Sequence, residues 1–189
     1  MINWRSISNL QIFKTLNIKK NANLVLTKQA GTEVTLDPDE VTNQLDSGGR
    51  VVTHIAASSL TRDLHANGKI NFLSLLAGFD TTLPEATGSG DSYFFQIGIV
   101  NTTNDYGILA LTTDIMTGSV VIIDTDTVAD SATGFATAAT SDKIEINGTT
   151  QGGLTIGDWV EFRDLADATW SVRGILTGSG TIETPFDAT

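Results

Sequence analysis

The chain has no cysteine, three prolines, two histidines and two methionines in 189 residues. Without cysteine there is no disulfide framework and no thiolate metal site, so packing and hydrogen bonds must hold the fold. Charge is also scarce: Asp, Glu, Lys and Arg together make up 17%, against ~25% in ordinary soluble domains. No stretch approaches the ~18 consecutive apolar residues of a spanning helix, so no membrane span is expected. The opening MINWRSISNLQ has no apolar core of the kind a secretory signal carries, and none is expected. What remains is 40% hydrophobic with 18 glycines, which is the composition of a folded domain with a polar, mostly uncharged surface. The length suits one domain with an appendage.

The few charges are segregated. Residues 1–32 hold Arg5, Lys14, Lys19, Lys20 and Lys28 and no acid, which gives +5. Residues 33–189 hold all 22 acids and the other six basic residues, which gives −16. No Lys or Arg occurs between Ile70 and Asp142. This is a basic arm on an acidic body. The acidic body is unsuited to nucleic acid, because phosphate contacts need cationic surface.

Thr is the dominant polar residue, with 28 copies, and its branched side chain favours strands. Short apolar runs recur between turn signals such as Asn67-Gly68, Asn104-Asp105, Asn147-Gly148 and Gly152-Gly153. Many short strands at such spacing predict an all-β fold, a β-sandwich or jelly-roll-like body. Phe95, Ile97 and Ile99 fall on one face of a strand at period two. Lys143 to Ile146 alternates directly into Asn147-Gly148, a strong hairpin signal. Residues 24–36 read as a hairpin around Gln29-Ala30-Gly31. Leu10, Phe13 and Leu16, three apart, permit a short helix in the arm, and Asp37-Pro38 permits another in the connector. The expected division is an extended N-terminal arm with its hairpin in residues 1–50 and an acidic β-rich body in residues 51–189.

Catalytic chemistry has little to build on. His54 lies in the strand-like Val51–Ile55 and His65 in a turn approach, and both are read as structural. No Gly-x-Ser-x-Gly elbow occurs. Gly88-Ser89-Gly90 and Gly178-Ser179-Gly180 lack both the dinucleotide fingerprint and the P-loop Lys, so they are loops. Asp124, Asp126 and Asp130 alternate as ligands of a hard cation do, but Val128 stands where another acid belongs and no closing Glu follows. That segment is read as a solvated acidic loop, with no metal and no cofactor expected. Trp159 and Trp170 lie in strand-like runs and are core or subunit-interface residues. Trp4, beside Arg5 in a polar arm, has the character of a binding anchor.

Three segments resemble structural proteins of tailed bacteriophages. The first is Leu83-Pro84-Glu85-Ala86-Thr87-Gly88-Ser89-Gly90 leading into Tyr93-Phe94-Phe95. The second runs from Gly134 to Asp142 and on through Ile144-Glu145-Ile146-Asn147-Gly148 to Gly153. The third joins Ile156-Gly157-Asp158-Trp159-Val160-Glu161 to Trp170-Ser171-Val172-Arg173-Gly174 and closes on Thr184-Pro185-Phe186-Asp187-Ala188-Thr189. Together they cover roughly residues 58–189. The resemblance implies a virion structural protein of the capsid decoration (cement) or head-fibre type, made in the host cytoplasm and seated on the outer capsid surface. It further implies a homotrimer, with the major capsid protein as partner and no enzymatic activity. On this reading the arm docks on the shell. Trp4, Ile7, Leu10 and Phe13 supply the apolar hold, while Arg5, Lys14, Lys19, Lys20 and Lys28 face acidic patches. A tail or fibre module touching the host surface is the alternative. A carbohydrate-active enzyme on a β scaffold ranks third, since no acid–base pair carries a sequence signature.

The acidic-loop reading has a direct test. Thermal melting of the protein is expected to be the same with and without EDTA; a drop of many degrees, reversed by calcium, is the contrary outcome.

Overall fold

A computed structural model describes residues 24–27, 33–36, 50–111, 113–126 and 131–188. Two units separate between Gly48 and Gly49. In the first, strands β1 (Leu24–Thr27) and β2 (Glu33–Leu36) pair antiparallel, with Leu24 opposite Leu36 and Thr27 opposite Glu33. This is the hairpin read from the sequence. The two short helices expected in residues 8–16 and 37–49 lie outside the described residues.

The second unit is an all-β sandwich. Its strands are β3 (Val51–His54), β4 (Ser58–Ser59), β5 (Ile70–Leu73), β6 (Phe79–Thr82), β7 (Ser92–Ile97), β8 (Tyr106–Leu109), β9 (Ile115–Asp124), β10 (Ser131–Ala136), β11 (Lys143–Ile146), β12 (Trp159–Ala166), β13 (Thr169–Gly178) and β14 (Phe186–Asp187). One four-residue helix, α1 (Arg62–His65), accompanies them. A seven-stranded sheet runs β10-β9-β13-β12-β7-β5-β3, and a five-stranded sheet runs β14-β11-β8-β6-β4.

Both sheets are mixed. From β3 to β8 the chain visits the two sheets alternately, so each strand lies parallel to the one two steps earlier: β3 with β5, β5 with β7, β4 with β6 and β6 with β8. This half is a short coil of three turns. Parallel neighbours need a long crossover, and here the opposite sheet supplies it. In the other half β12 and β13 form a long antiparallel hairpin, and β13 pairs in parallel with β9 over ten residues from Thr169 to Gly178. The turn at Asn147-Gly148 does form, with the Asn147 side-chain oxygen accepting from the amides of Thr149 and Gln151. It closes a loop instead of a hairpin, because β11 pairs with β8 and β14.

Period-two alternation fills the space between the sheets. Tyr93, Phe95 and Ile97 of β7, Val160 and Phe162 of β12, and Trp170, Val172 and Leu176 of β13 point inward. They meet Ile108, Ile144 and Ile146 of the smaller sheet in one core. Rings pack edge to face: Phe95 with Phe162 at 5.8 Å, Tyr93 with Trp170 at 5.5 Å, and Phe79 with Tyr106 at 5.2 Å, a geometry the ring quadrupoles favour. Ile99 lies beyond the end of β7 and is exposed, so the inward row stops one residue pair earlier than its alternation suggests.

Buried carboxylates stand at both ends of the inward row of β12. Asp158 accepts from the Thr177 amide and hydroxyl at 2.7 and 2.9 Å, and burial, its leading influence, pushes its pKa up. Asp164 is 2% exposed. It accepts from the amides of Thr87, Gly88 and Ser89 at 2.6 to 3.1 Å and from the hydroxyls of Thr87 and Ser89. Gly88, at φ 74°, holds the left-handed conformation that turns successive amides onto one anion. Burial opposes ionisation of Asp164, but these donors outweigh it and hold its pKa at about 2, against an ordinary 3.8.

Because the folded value lies below the unfolded one, the stability this carboxylate supplies is complete above about pH 4 and is lost as pH falls toward 2. Asp164→Asn is expected to destabilise the body by about 2–3 kcal/mol at pH 7. Urea unfolding of wild type and variant at pH 7 and pH 3 measures this, and their difference should shrink at the lower pH.

Candidate functional site

The register places two very different surfaces on the outside of the sandwich. On the five-stranded sheet, Asp80 opposes Gly107, which opposes Glu145, while Lys143 stands beside Asp187. Lys143 bonds Glu145 at 2.7 Å and approaches Asp80 at 3.9 Å. Gly107 makes room for that crossing, since a Cβ there would meet both the Asp80 carboxylate and the Lys143 stem. These side chains line an open groove of about 470 Å3 together with Phe79, Asn104 and Asp105. Burial, reinforced by Glu145, raises the pKa of Asp105. The groove is polar and acidic, with one cation already committed to two carboxylates.

The outer face of the seven-stranded sheet is the opposite in character. Strand pairing sets two neighbouring rows across six adjacent strands: Val121 of β9, Ile175 of β13, Trp159 of β12, Gln96 of β7 and Phe72 of β5 in one, and Arg173 of β13, Glu161 of β12, Phe94 of β7, Ile70 of β5 and Val51 of β3 in the other, so that apolar side chains form a band interrupted by polar ones. Val51 is 51% exposed and Ile175 44%, while Trp159 and Phe94 are half-buried. The Phe94 and Trp159 rings stack at 5.5 Å with planes 22° apart. Phe72 lies over Gly98, where a Cβ would meet its ring.

Charged side chains continue the row of Phe94, Ile70 and Val51 onto β12 and β13. Arg173 of β13 bonds Glu161 of β12 through Nε at 2.8 Å and Nη2 at 2.5 Å. Arg163 and Ser171 sit directly opposite each other in the next pair along. The four side chains enclose a cleft of about 140 Å3. Arg163 is exposed and makes no ion pair among the described residues.

The sequence-derived candidates distribute as follows. Trp4, Arg5, Ile7, Leu10, Phe13, Lys14, Lys19, Lys20 and Lys28 lie outside the described residues. Asp124 ends β9 and accepts from the Asp126 amide, and Asp126 accepts from the Ser179 hydroxyl and the Gly180 amide; Asp130 lies outside the described residues. No metal-holding group of His, Cys, Asp or Glu occurs among the described residues. His54 is buried and bonded through both ring nitrogens, to Ser58 and to Asn71. His65 lies 5.3 Å from it, ring to ring. Burial lowers the His65 pKa, against a backbone hydrogen bond with Thr61 that raises it and with His54 adding to the lowering, and His65 Nδ1 accepts from the Thr61 amide that opens α1. His54 thereby ties β3 to β4 and β5, while the His65 ring bonds within its own turn. Of the two body tryptophans, Trp170 is core and Trp159 belongs to the outer band. The band itself escaped the sequence reading. Its signal is phase: in Trp159-Val160-Glu161-Phe162-Arg163, Trp159 shares the face of Glu161 and Arg163.

Comparison with protein-family models, curated proteins and solved structures finds no match.

The two tryptophans give a paired prediction. Trp170→Ala is expected to cost about 3–5 kcal/mol, whereas Trp159→Ala forfeits about 1 kcal/mol from ring stacking and partial burial. Chemical unfolding of the two variants measures the contrast.

Proposed function

We propose that the protein is a structural component of a tailed-phage virion, a decoration (cement) protein of the capsid that works by binding and not by catalysis. The sequence resemblance supplies the virion setting. The observation that carries the assembly role is the exposed apolar band on an otherwise acidic, polar sandwich. A body that has completed its core yet leaves Trp159, Phe94, Ile175 and Val51 on one surface is built to be covered. The proposal includes a homotrimer on the outer capsid surface, with the major capsid protein as partner and neither nucleic acid nor membrane as a ligand.

Residues 1–50 are proposed as the docking arm. Their +5 against the −16 of the remainder lets bodies repel while each arm is drawn to an acidic surface. Complementary charge of this kind sets orientation and encounter rate, and exposed pairs contribute only ~0–1 kcal/mol each. Trp4, Ile7, Leu10 and Phe13 supply the rest.

Binding of the full chain to purified, undecorated phage heads tests this. Wild type should saturate the heads; Trp4→Ala should weaken binding more than Lys14→Ala does, and the gap should widen as salt rises. Reconstruction of intact particles should place the protein on the head. Density on the tail instead, or full decoration by Trp4→Ala, overturns the corresponding part of the proposal.

A further inference from the structure

We infer that the outer edge of β10 is an interaction surface whose occupant is the same edge of a second copy, paired antiparallel about a two-fold axis at Gly134. The inference goes beyond the virion reading and does not depend on it.

A sheet edge is recognised by its free backbone groups, and the ladder shows which ones are free. Thr137 donates its amide to the Gly118 carbonyl at 3.1 Å. On the opposite side of β9, Ile115 and Thr125 donate theirs to Ala168 and Gly178, at the two ends of β13. Backbone groups alternate in direction along a strand. The even-numbered residues of β9 therefore face β10, and their partners Ser131, Thr133 and Phe135 face back. Ala132, Gly134 and Ala136 turn both N–H and C=O away from the sheet. All three are exposed, and nothing stands within 4 Å of where a Gly134 Cβ would be. No described residue bonds their backbone from that side.

The other sheet edges are short. β4 and β14 end the smaller sheet with two residues each, and β3 ends the larger with four. Short strands, charge, proline and bulges are the devices that keep edges from pairing. β10 has none of them: six residues run in unbroken register with β9. No charged residue occurs between Asp130 and Asp142. Although the chain carries −11 overall, pairing along this strand sets no like charges against each other.

Length and symmetry select the occupant. No other edge strand among the described residues exceeds four residues, those of the β1–β2 hairpin included. The described edge that can meet all three outward residues is another β10. An antiparallel pair about Gly134 sets Gly134 opposite Gly134, and Ala132 of each copy opposite Ala136 of the other. All six outward groups of each strand are then used, and a shifted register leaves some unpaired. Between these bonded pairs, Thr133 of each copy faces Phe135 of the other. An aromatic side chain against a β-branched one is a favourable cross-strand pair, and it falls where opposed side chains approach most closely. A two-fold contact uses the same patch on both copies, so each edge is consumed by one partner and the pairing closes.

Light scattering of the full chain during gel filtration is the first test. Wild type should elute at an even multiple of 20.0 kDa. Ala136→Pro removes one outward N–H and puts a ring on the open edge, where proline is tolerated because no bond to β9 is touched. It should elute at half the wild-type mass with a cooperative melt retained. An odd multiple for wild type, the monomer included, or a variant that keeps the wild-type mass overturns the inference. Amide exchange of the wild type needs no variant. At the concentration of the assembled species the Gly134 amide should exchange at least tenfold more slowly than a free amide, and free exchange there overturns the inference. Neither measurement contains a phage component. A bare trimer overturns this pairing and leaves the decoration reading standing, whereas a chain that pairs through β10 yet ignores phage heads overturns the decoration reading alone.

Discussion

The fold depends on the fixed phase of β12. Asp158 and Asp164 bracket the inward pair Val160 and Phe162, and each carboxylate is tied to a different neighbour: Asp158 to Thr177 of β13, Asp164 to the Thr87–Ser89 loop ahead of β7. Side chains on a strand alternate with period two, so a slip of one residue exchanges its faces. A slipped β12 would bring Trp159, Glu161 and Arg163 into the core and expel Phe162. It would also withdraw the Asp164 carboxylate from donors whose alternative is an unsatisfied buried amide. The central strand of the larger sheet is thus pinned by polar ends as much as by its apolar middle.

That pinning explains what a linear reading of the residues reaches. Alternation within a strand is local, so the all-β class and the strands around Phe95, Lys143–Ile146 and Trp170–Leu176 are legible. The hairpin of β1 and β2 is legible too, since its loop is short. The parallel coil from β3 to β8 is not, because its partners stand 19 to 27 positions apart along the chain, as Val51 with Ile70 and Thr81 with Ile108 show. No turn signal encodes pairing at that range. Asn147-Gly148 misleads for the same reason: a tight turn is a local fact, and the partner of β11 is a distant one.

The outer band was half legible. Within β12 and β13 the polar phase is plain from Glu161, Arg163, Ser171 and Arg173, and Trp159 falls in it. What the residues in order do not disclose is that Val121 and Phe72 come into line with Trp159, and Phe94, Ile70 and Val51 into the next row with Glu161. That alignment follows from five strand registers, two of them parallel pairings within the coil. The aromatic run Tyr93-Phe94-Phe95 has a middle member on the face away from the core, and only the neighbouring strands say whether that face is covered.

The two outer faces then divide the labour of an acidic body. Charge gathered on the five-stranded side, around Asp80, Glu145 and Asp187, is exposed and screened within about 10 Å at ordinary ionic strength. On the seven-stranded side the Glu161–Arg173 pair gives the apolar band a direction. Apolar area alone is indifferent to orientation, and a band of Val, Ile, Phe and Trp by itself would accept a partner in several registers. One carboxylate and two guanidinium groups stand on the same face, and burying any of the three unpaired would cost more than a single side-chain contact returns.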